Sequence, residues 1–347
     1  MIGILFCCRH RMKNKTLVIL ALALHLLIAW YSFGYAEDVA LWRNWAETGA
    51  VKGLTSIYGE PVTPGWMRPN YLPPYLTILT ILGKLQLGLF GQDGLRDYNF
   101  ILLLKLPAII GDLALALLLL YFIKQKMPAA SANRLFLVAL FHPILWTVSS
   151  IWGQVDSLPV IFLVLMLFAL EKKNSLLATF WFTVACLFKL QSVALFPLLA
   201  LAWLSGARPR FWPLFIGVLA IVGVTVTALT LPFLITGQLS TLLYHTFGAV
   251  GRYPYPSMNA WNLWWLLPEH RILDTTNFAG LPLVWWGMIF YLTAVMVIIK
   301  KGRPFDSWQR LWGSQGKVCG KPCCFSSTVR PRWYQESGSG KVGWDWR

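Results

Sequence analysis

The sequence predicts an all-α fold: a polytopic integral membrane protein of about 8–9 transmembrane helices. Three observations lead there. Apolar residues make up 57% of the 347 residues and charged residues 13%, about half the charged share of an ordinary soluble domain. Apolar runs of about 20 residues recur along the chain, the length that crosses a bilayer core. The 19 tryptophans and 12 tyrosines suit aromatic belts at the membrane–water interfaces.

Taken in order, the expected spans are 17–34, 99–123, 133–150, 155–170, 175–189, 190–205, 211–236 and 281–299. A ninth, 71–90, is weakened by Pro73, Pro74, Lys84 and Gln86. Only helices or closed barrels satisfy their backbone in lipid, and these runs lack the two-residue alternation of a barrel strand.

The net charge of +16 invites a nucleic-acid reading, but its placement argues against one. The basic residues gather in short loops: "RHRMKNK", "KQK", "EKK", "ARPR" and "KKGR". That is how cytoplasmic loops are marked. With 124–126, 171–173, 207–210 and 300–303 inside, "SIWGQVDS", "FKLQS" and 237–280 face outward. A cytoplasmic N-terminus (1–16) also puts 35–70 outside, as a long first extracytoplasmic loop. The parity conflicts if 71–90 and 99–123 both cross, so 71–90 is expected to be partly interfacial; if it does cross, the downstream parity inverts and "SIWGQVDS" faces the cytoplasm.

Both ends differ in character from the rest. Met12 followed by "KNKTLVILALALHLL" reads as a natural start. Residues 17–312 form the expected membrane domain, and 313–347 a polar tail with no periodicity. The abrupt change predicts that a longer membrane protein has been truncated, its end frameshifted or replaced. "CGKPCC" in the tail has no second ligand pair for zinc, and a disordered tail is expected. The six cysteines show no paired framework.

Four stretches carry candidate chemistry. In "SFGYAEDVALWRNWAETG" (32–49), Asp38, Trp42 and Trp45 are spaced to share one helix face, with Glu37 about 100° away. The tryptophans suit a helix lying in the interface, apolar side down, with Asp38 at the bilayer rim. An ordinary amphipathic exit helix has the same pattern. "RPNYLPPYLTIL" places Tyr71 just before Pro73 and Pro74, at the start of an apolar run. "WGQVDS" carries Gln154 and Asp156 between apolar runs, and Gly153 there allows a close backbone approach. "ACLFKLQSVALF" sets Lys189 and Gln191 between apolar flanks. A lysine there is costly unless it snorkels, and a phosphate would be its natural partner.

In this order, over roughly 17–205, these stretches resemble the GT-C superfamily of polytopic glycosyltransferases. The likeness is to the endoplasmic-reticulum enzymes that build the lipid-linked oligosaccharide and to bacterial mannosyltransferase-like relatives. Asp38 and Trp45 match an acid after the first span with a tryptophan seven residues on. Tyr71-Leu72-Pro73-Pro74 matches a Tyr-Pro-Pro element with one insertion. "AIIGDLALAL" around Asp112, then "WGQVDS", then Lys189 and Gln191 follow in the family order.

The resemblance implies a hexosyltransferase in the bacterial plasma membrane, or in the endoplasmic-reticulum membrane of a eukaryote. It implies a polyprenyl-phosphate-linked sugar donor, a lipid- or glycan-linked acceptor, and neither a metal nor another cofactor. Asp38 would be the general base, with Lys189, and Arg252 as an outer-loop candidate, facing the donor phosphate. Glu37, Trp42, Trp45, Tyr71, Gln154, Asp156 and Gln191 would contribute to the substrate site. "GRYPYPSMNAWNLWW" (251–265) would line the sugar or lipid site or form an aromatic belt. His245 and His270 match no family position. Two rivals use the same residues: a transporter or lipid flippase, and an inactive membrane subunit. No internal repeat favours the first.

Overall fold

The computed structural model describes residues 14–59, 67–206, 211–248, 254–257, 263–266 and 272–301. The chain divides into two compact units, Met1–Phe305 and Asp306–Arg347. The second lies outside the described residues, as do Met12, the tail cysteines, Arg252 and His270.

Among the described residues the fold is helical but for a two-residue hairpin, Asn277–Phe278 with Leu281–Pro282. The helices are α1 (Asn14–Tyr31), α2 (Ala36–Lys52), α3 (Pro73–Gly94), α4 (Tyr98–Lys124) and α5 (Ala129–Leu140). They continue with α6 (Ser157–Glu171), α7 (Ser175–Phe188), α8 (Phe196–Gly206), α9 (Phe211–Ile235), α10 (Leu239–Phe247) and α11 (Leu283–Lys301). Five described helices are long and apolar enough to cross a membrane: α1, α3, α4, α9 and the stretch Ala129–Trp152. Shorter apolar helices cover Ser157–Glu171, Ser175–Phe188, Leu190–Leu204 and Leu283–Ile298. The exposed side chains of α9 and α11 are largely apolar, Ile216, Val224, Phe290 and Ile298 among them. That surface is compatible with lipid rather than water.

Local chemistry explains most boundaries. Asp97 caps α4 by accepting from the Asn99 amide at 3.2 Å, and Asn174 caps α7 by accepting from Leu177 at 3.0 Å. Pro73 and Pro74 start α3, where their missing donors cost nothing. The expected span 133–150 is broken. Helix α5 stops at Leu140, and His142 then accepts from the Ile144 amide ahead of Pro143. The chain resumes as a π-helical segment, Trp146–Trp152. The expected span 190–205 likewise opens with a 3-10 turn, Leu190–Leu195, before α8.

Helix α1 runs antiparallel to α4. Leu17, Val18 and Ala21 pack with Leu113, Ala116 and Leu120 at one end. At the other, the Tyr98 hydroxyl donates to the Trp30 carbonyl at 2.7 Å. The α4–α5 connection meets the end of α6 through a Lys126–Glu171 ion pair. That pair is exposed and contributes little to stability.

Helices α2 and α3 pack together with very close backbones. A Cβ on Gly83 would meet the Ala46 carbonyl oxygen at 2.3 Å, and one on Gly49 the Thr80 hydroxyl at 2.2 Å. The two ends of α3 are tied to different elements. Tyr71, just before it, donates to Gln154 at 2.9 Å, and the Asp97 carbonyl, just after it, accepts from Arg43 of α2 at 2.9 Å. Helix α3 is itself long and apolar enough to cross a membrane, so the parity of the chain turns on it. If 71–90 lies in the interface, as the parity of the basic loops expects, cysteines placed at exposed Lys52 and Gln92 react with an impermeant thiol reagent from the same side. Labelling of the two from opposite sides would show that α3 crosses.

Candidate active site

The site gathers where α2, the entry to α3, α4 and the turn after the π-helical segment meet. Asp38 is half-buried in the first turn of α2, where the helix dipole favours a negative charge. Its Oδ2 accepts from the Trp152 indole at 2.7 Å and from the Gln154 amide at 2.9 Å. Its Oδ1 accepts from no described residue. Gln154 is oriented in turn, because its Oε1 accepts from the Tyr71 hydroxyl at 2.9 Å.

An aromatic wall backs this group. Trp45 packs edge-on to Tyr71 with ring centroids 6.1 Å apart, and Tyr71 meets Tyr75 at 4.8 Å. The Trp45 indole donates to the Met67 carbonyl at 2.8 Å. Tyr58 donates to the Tyr71 carbonyl at 2.5 Å, and burial raises its phenol far above its ordinary pKa, so it stays a neutral donor.

Trp42 and Trp45 differ from the sequence expectation. They do share a helix face, but that face turns into the protein. Each is only 2% exposed, packed with Leu76 and Leu79 of α3 and Phe100 and Leu104 of α4. The helix does not lay its tryptophans on lipid, because a second helix layer, α3, offers them a protein surface. Glu37 is exposed and accepts from Tyr35 at 3.4 Å.

Two residues beyond Gln154 on the same turn, Asp156 pairs with Lys189. Lys189 sits where α7 ends and the chain turns extended (φ −149, ψ 115). Gln191 is exposed on the following 3-10 turn. His245 of α10 is buried.

The residue that organises the site was not among the sequence candidates. Lys105 of α4 is 1% exposed. Its ammonium donates to Ser32 O at 2.6 Å, Ser32 Oγ at 3.0 Å, Ser150 O at 3.0 Å, Ile151 O at 3.1 Å and Ala29 O at 3.5 Å. These oxygens belong to the C-terminal ends of α1 and of the π-helical segment. Helix ends leave such carbonyls without donors, and a cation there is favourable. Two glycines permit the approach. Gly34 (φ +96) leaves no room for a Cβ, which would stand 2.9 Å from the Trp152 carbonyl. Gly153 (φ +96) is wedged between Trp42 and Lys105, where a Cβ would stand 2.9 Å from the Trp42 ring. The signal was in the sequence: Lys105 lies inside "ILLLKLPAII", a setting as costly as that of Lys189.

No family model, curated protein or solved structure matches the chain. The fold and site thus define a class only: a helical protein with several apolar helices able to span a membrane, carrying a partly open carboxylate at one end of the bundle.

Lys105→Met keeps the length and removes the ammonium. The carbonyls of Ser32, Ser150 and Ile151 would lose a donor, at about 1–3 kcal/mol for each acceptor left unpaired. The unfolding midpoint of the detergent-solubilised protein is expected to fall by many degrees, while Lys84→Met, at an exposed position of α3, leaves it nearly unchanged.

Proposed function

We propose that the chain is a membrane glycosyltransferase that moves a hexose from a polyprenyl-phosphate-linked donor to a lipid- or glycan-linked acceptor. The observation that supports it most is the Asp38 carboxylate. One oxygen is held by two neutral N–H donors and the other is open, at the end of a bundle of apolar helices. A general base needs fixed geometry and an available lone pair, in that order.

In this reading the acceptor hydroxyl attacks the anomeric carbon and passes its proton to Asp38 Oδ1. The carbon–oxygen bond to phosphate breaks with its electron pair, and polyprenyl phosphate leaves. The new bond forms on the opposite face, so configuration inverts. Lys189 exchanges its Asp156 partner for the donor phosphate, which the ammonium stabilises as charge builds there. Asp156 holds the ammonium in place before the donor arrives. Trp42 and Trp45 shape the wall behind the base, and Tyr71 with Gln154 sets its orientation. No step calls for a metal.

Asp38→Asn preserves the shape and removes the proton acceptor. Turnover is expected to fall about 10²–10⁴-fold with little change in donor binding. Glu37→Gln, at an exposed side chain, is expected to cost far less. The assay is incubation with a panel of polyprenyl-phosphate hexoses and detection of product by mass spectrometry. Near-normal turnover in Asp38→Asn, or a larger loss in Glu37→Gln, would return the stretch to an ordinary exit helix.

Lys189→Met is expected to weaken donor binding, whereas Asp156→Asn, which frees the ammonium, is expected to maintain or tighten it. Equal loss in both variants would mean that the pair only holds the fold.

A further inference from the structure

We propose, building on the glycosyl-transfer reading, that Trp152 and Tyr35 form the acceptor subsite beside Asp38, and that the group they hold is an uncharged pyranose ring. The acceptor is then a glycan rather than a lipid alcohol or a lipid phosphate. Two chain exits bring the rings together. Trp152 is the last residue of the π-helical segment, and Tyr35 is the residue before α2. Gly34 permits their approach. A Cβ there would stand 2.9 Å from the Trp152 carbonyl oxygen and 3.3 Å from that of Ile151, so a larger residue would push the two backbones apart. The ring centroids of Tyr35 and Trp152 are 5.7 Å apart, with the planes at 51°. Both rings remain open to a ligand, Trp152 at 36% exposed and Tyr35 at 43%.

Their polar contacts set these rings apart from an ordinary interfacial belt. Trp30, Phe33 and Tyr98 are exposed too, but their rings meet one another, Tyr98 lying 6.2 Å from Trp30 and 6.3 Å from Phe33. Such a set suits the membrane–water boundary. Trp152 and Tyr35 instead each donate to a carboxylate. The Trp152 indole donates to Asp38 Oδ2 at 2.7 Å, and the Tyr35 hydroxyl to Glu37 at 3.4 Å. The first bond fixes an aromatic face next to the carboxylate that receives the acceptor's proton, so the group lying on that face is the acceptor.

The chemistry of the occupant follows. One face of a pyranose presents C–H bonds, which suit the electron-rich face of an indole, and its rim presents hydroxyls, which carboxylates accept. Charge excludes an anionic acceptor. Among the described residues, no Lys or Arg forms an ion pair with Glu37 or Asp38, and a phosphate beside two adjacent acidic residues would be repelled. An isoprenoid alcohol offers one hydroxyl and an apolar chain, which leaves the second carboxylate without a donor from the ligand. A neutral sugar meets both the rings and the acids.

The test is saturation-transfer NMR of methyl hexopyranosides with the full chain in a detergent that has no sugar headgroup. Binding is read without turnover, so a failed subsite shows here and a failed base shows only in the transfer assay of Asp38→Asn. At least one of the methyl glucosides, mannosides or galactosides is expected to bind saturably, with the strongest transfer to the C–H protons of one ring face. Trp152→Ala is expected to weaken that affinity about 10-fold. If that variant does not fold, Tyr35→Ala, at an exposed position outside the helices, decides in its place, with an expected loss of about 3-fold. Neither farnesyl phosphate nor a polyprenyl-phosphate hexose is expected to displace the glycoside. Absence of binding by every methyl hexopyranoside overturns the proposal, as does an affinity unaltered in the deciding variant. Displacement by farnesyl phosphate overturns it by assigning the rings to a lipid phosphate, and displacement by the polyprenyl-phosphate hexose alone does so by assigning them to the donor sugar.

Discussion

A buried ammonium, held by carbonyls rather than by a carboxylate, ties one end of this bundle together. Lys105 lies where α1 and the π-helical segment both end, and it takes up their last carbonyls. In water those carbonyls would be hydrated, but between packed apolar helices they need a protein donor. The π winding itself explains part of the demand. The Val148 carbonyl accepts from both Gly153 and Gln154, so the carbonyls of Ser150 and Ile151 are left to seek other donors. One lysine supplies them and fixes the exit of α1 against the exit of the π segment. The direction of the turn 153–156 follows from that, and with it the positions of Trp152, Gln154 and Asp156.

The α2–α3 layer adds the second constraint. Its small residues bring two backbones nearly into contact, which leaves the large aromatic side chains of α2 facing α4 and the π segment. Asp38 is the acid on that face, so it meets the polar edge offered there, the indole of Trp152 and the amide of Gln154. Its neighbour Glu37, about 100° around the helix, is left to solvent.

Much of this was legible in the sequence, and the gaps have physical reasons. The apolar runs located the helices to within a few residues, because lipid-facing helices need long unbroken apolar stretches. The break near His142 and the π winding were not legible, since both lie inside an apolar run. The spacing of Asp38, Trp42 and Trp45 predicted a common face, but whether that face met lipid or protein depended on α3, a partner that periodicity along α2 cannot reveal. Gln154, Tyr71 and Asp38 were each singled out, yet their contact spans more than a hundred residues of sequence. Lys105 was legible on the same ground as Lys189, a lysine set inside an apolar run. Arg252 lies outside the described residues.

The ionisable groups along the bundle meet the cost of burial in different ways, and the difference decides which of them is available for chemistry. Lys105 is saturated by carbonyls and hydroxyls, so it can give structure but has no donor left to offer a ligand. Lys189 and Asp156 neutralise each other at a half-buried edge, where an incoming anion can compete for the ammonium. Asp112 is enclosed, 2% exposed, and out of reach of an incoming substrate. Asp38 is bound asymmetrically, with two donors on one oxygen and none from the described residues on the other. Its donors are neutral, so they orient the carboxylate without cancelling its charge. An acid used only to cap a helix or meet solvent has no need of an indole and an amide from a distant turn. In the proposed reading, two such donors committed to a single oxygen are what would hold Asp38 as a positioned base.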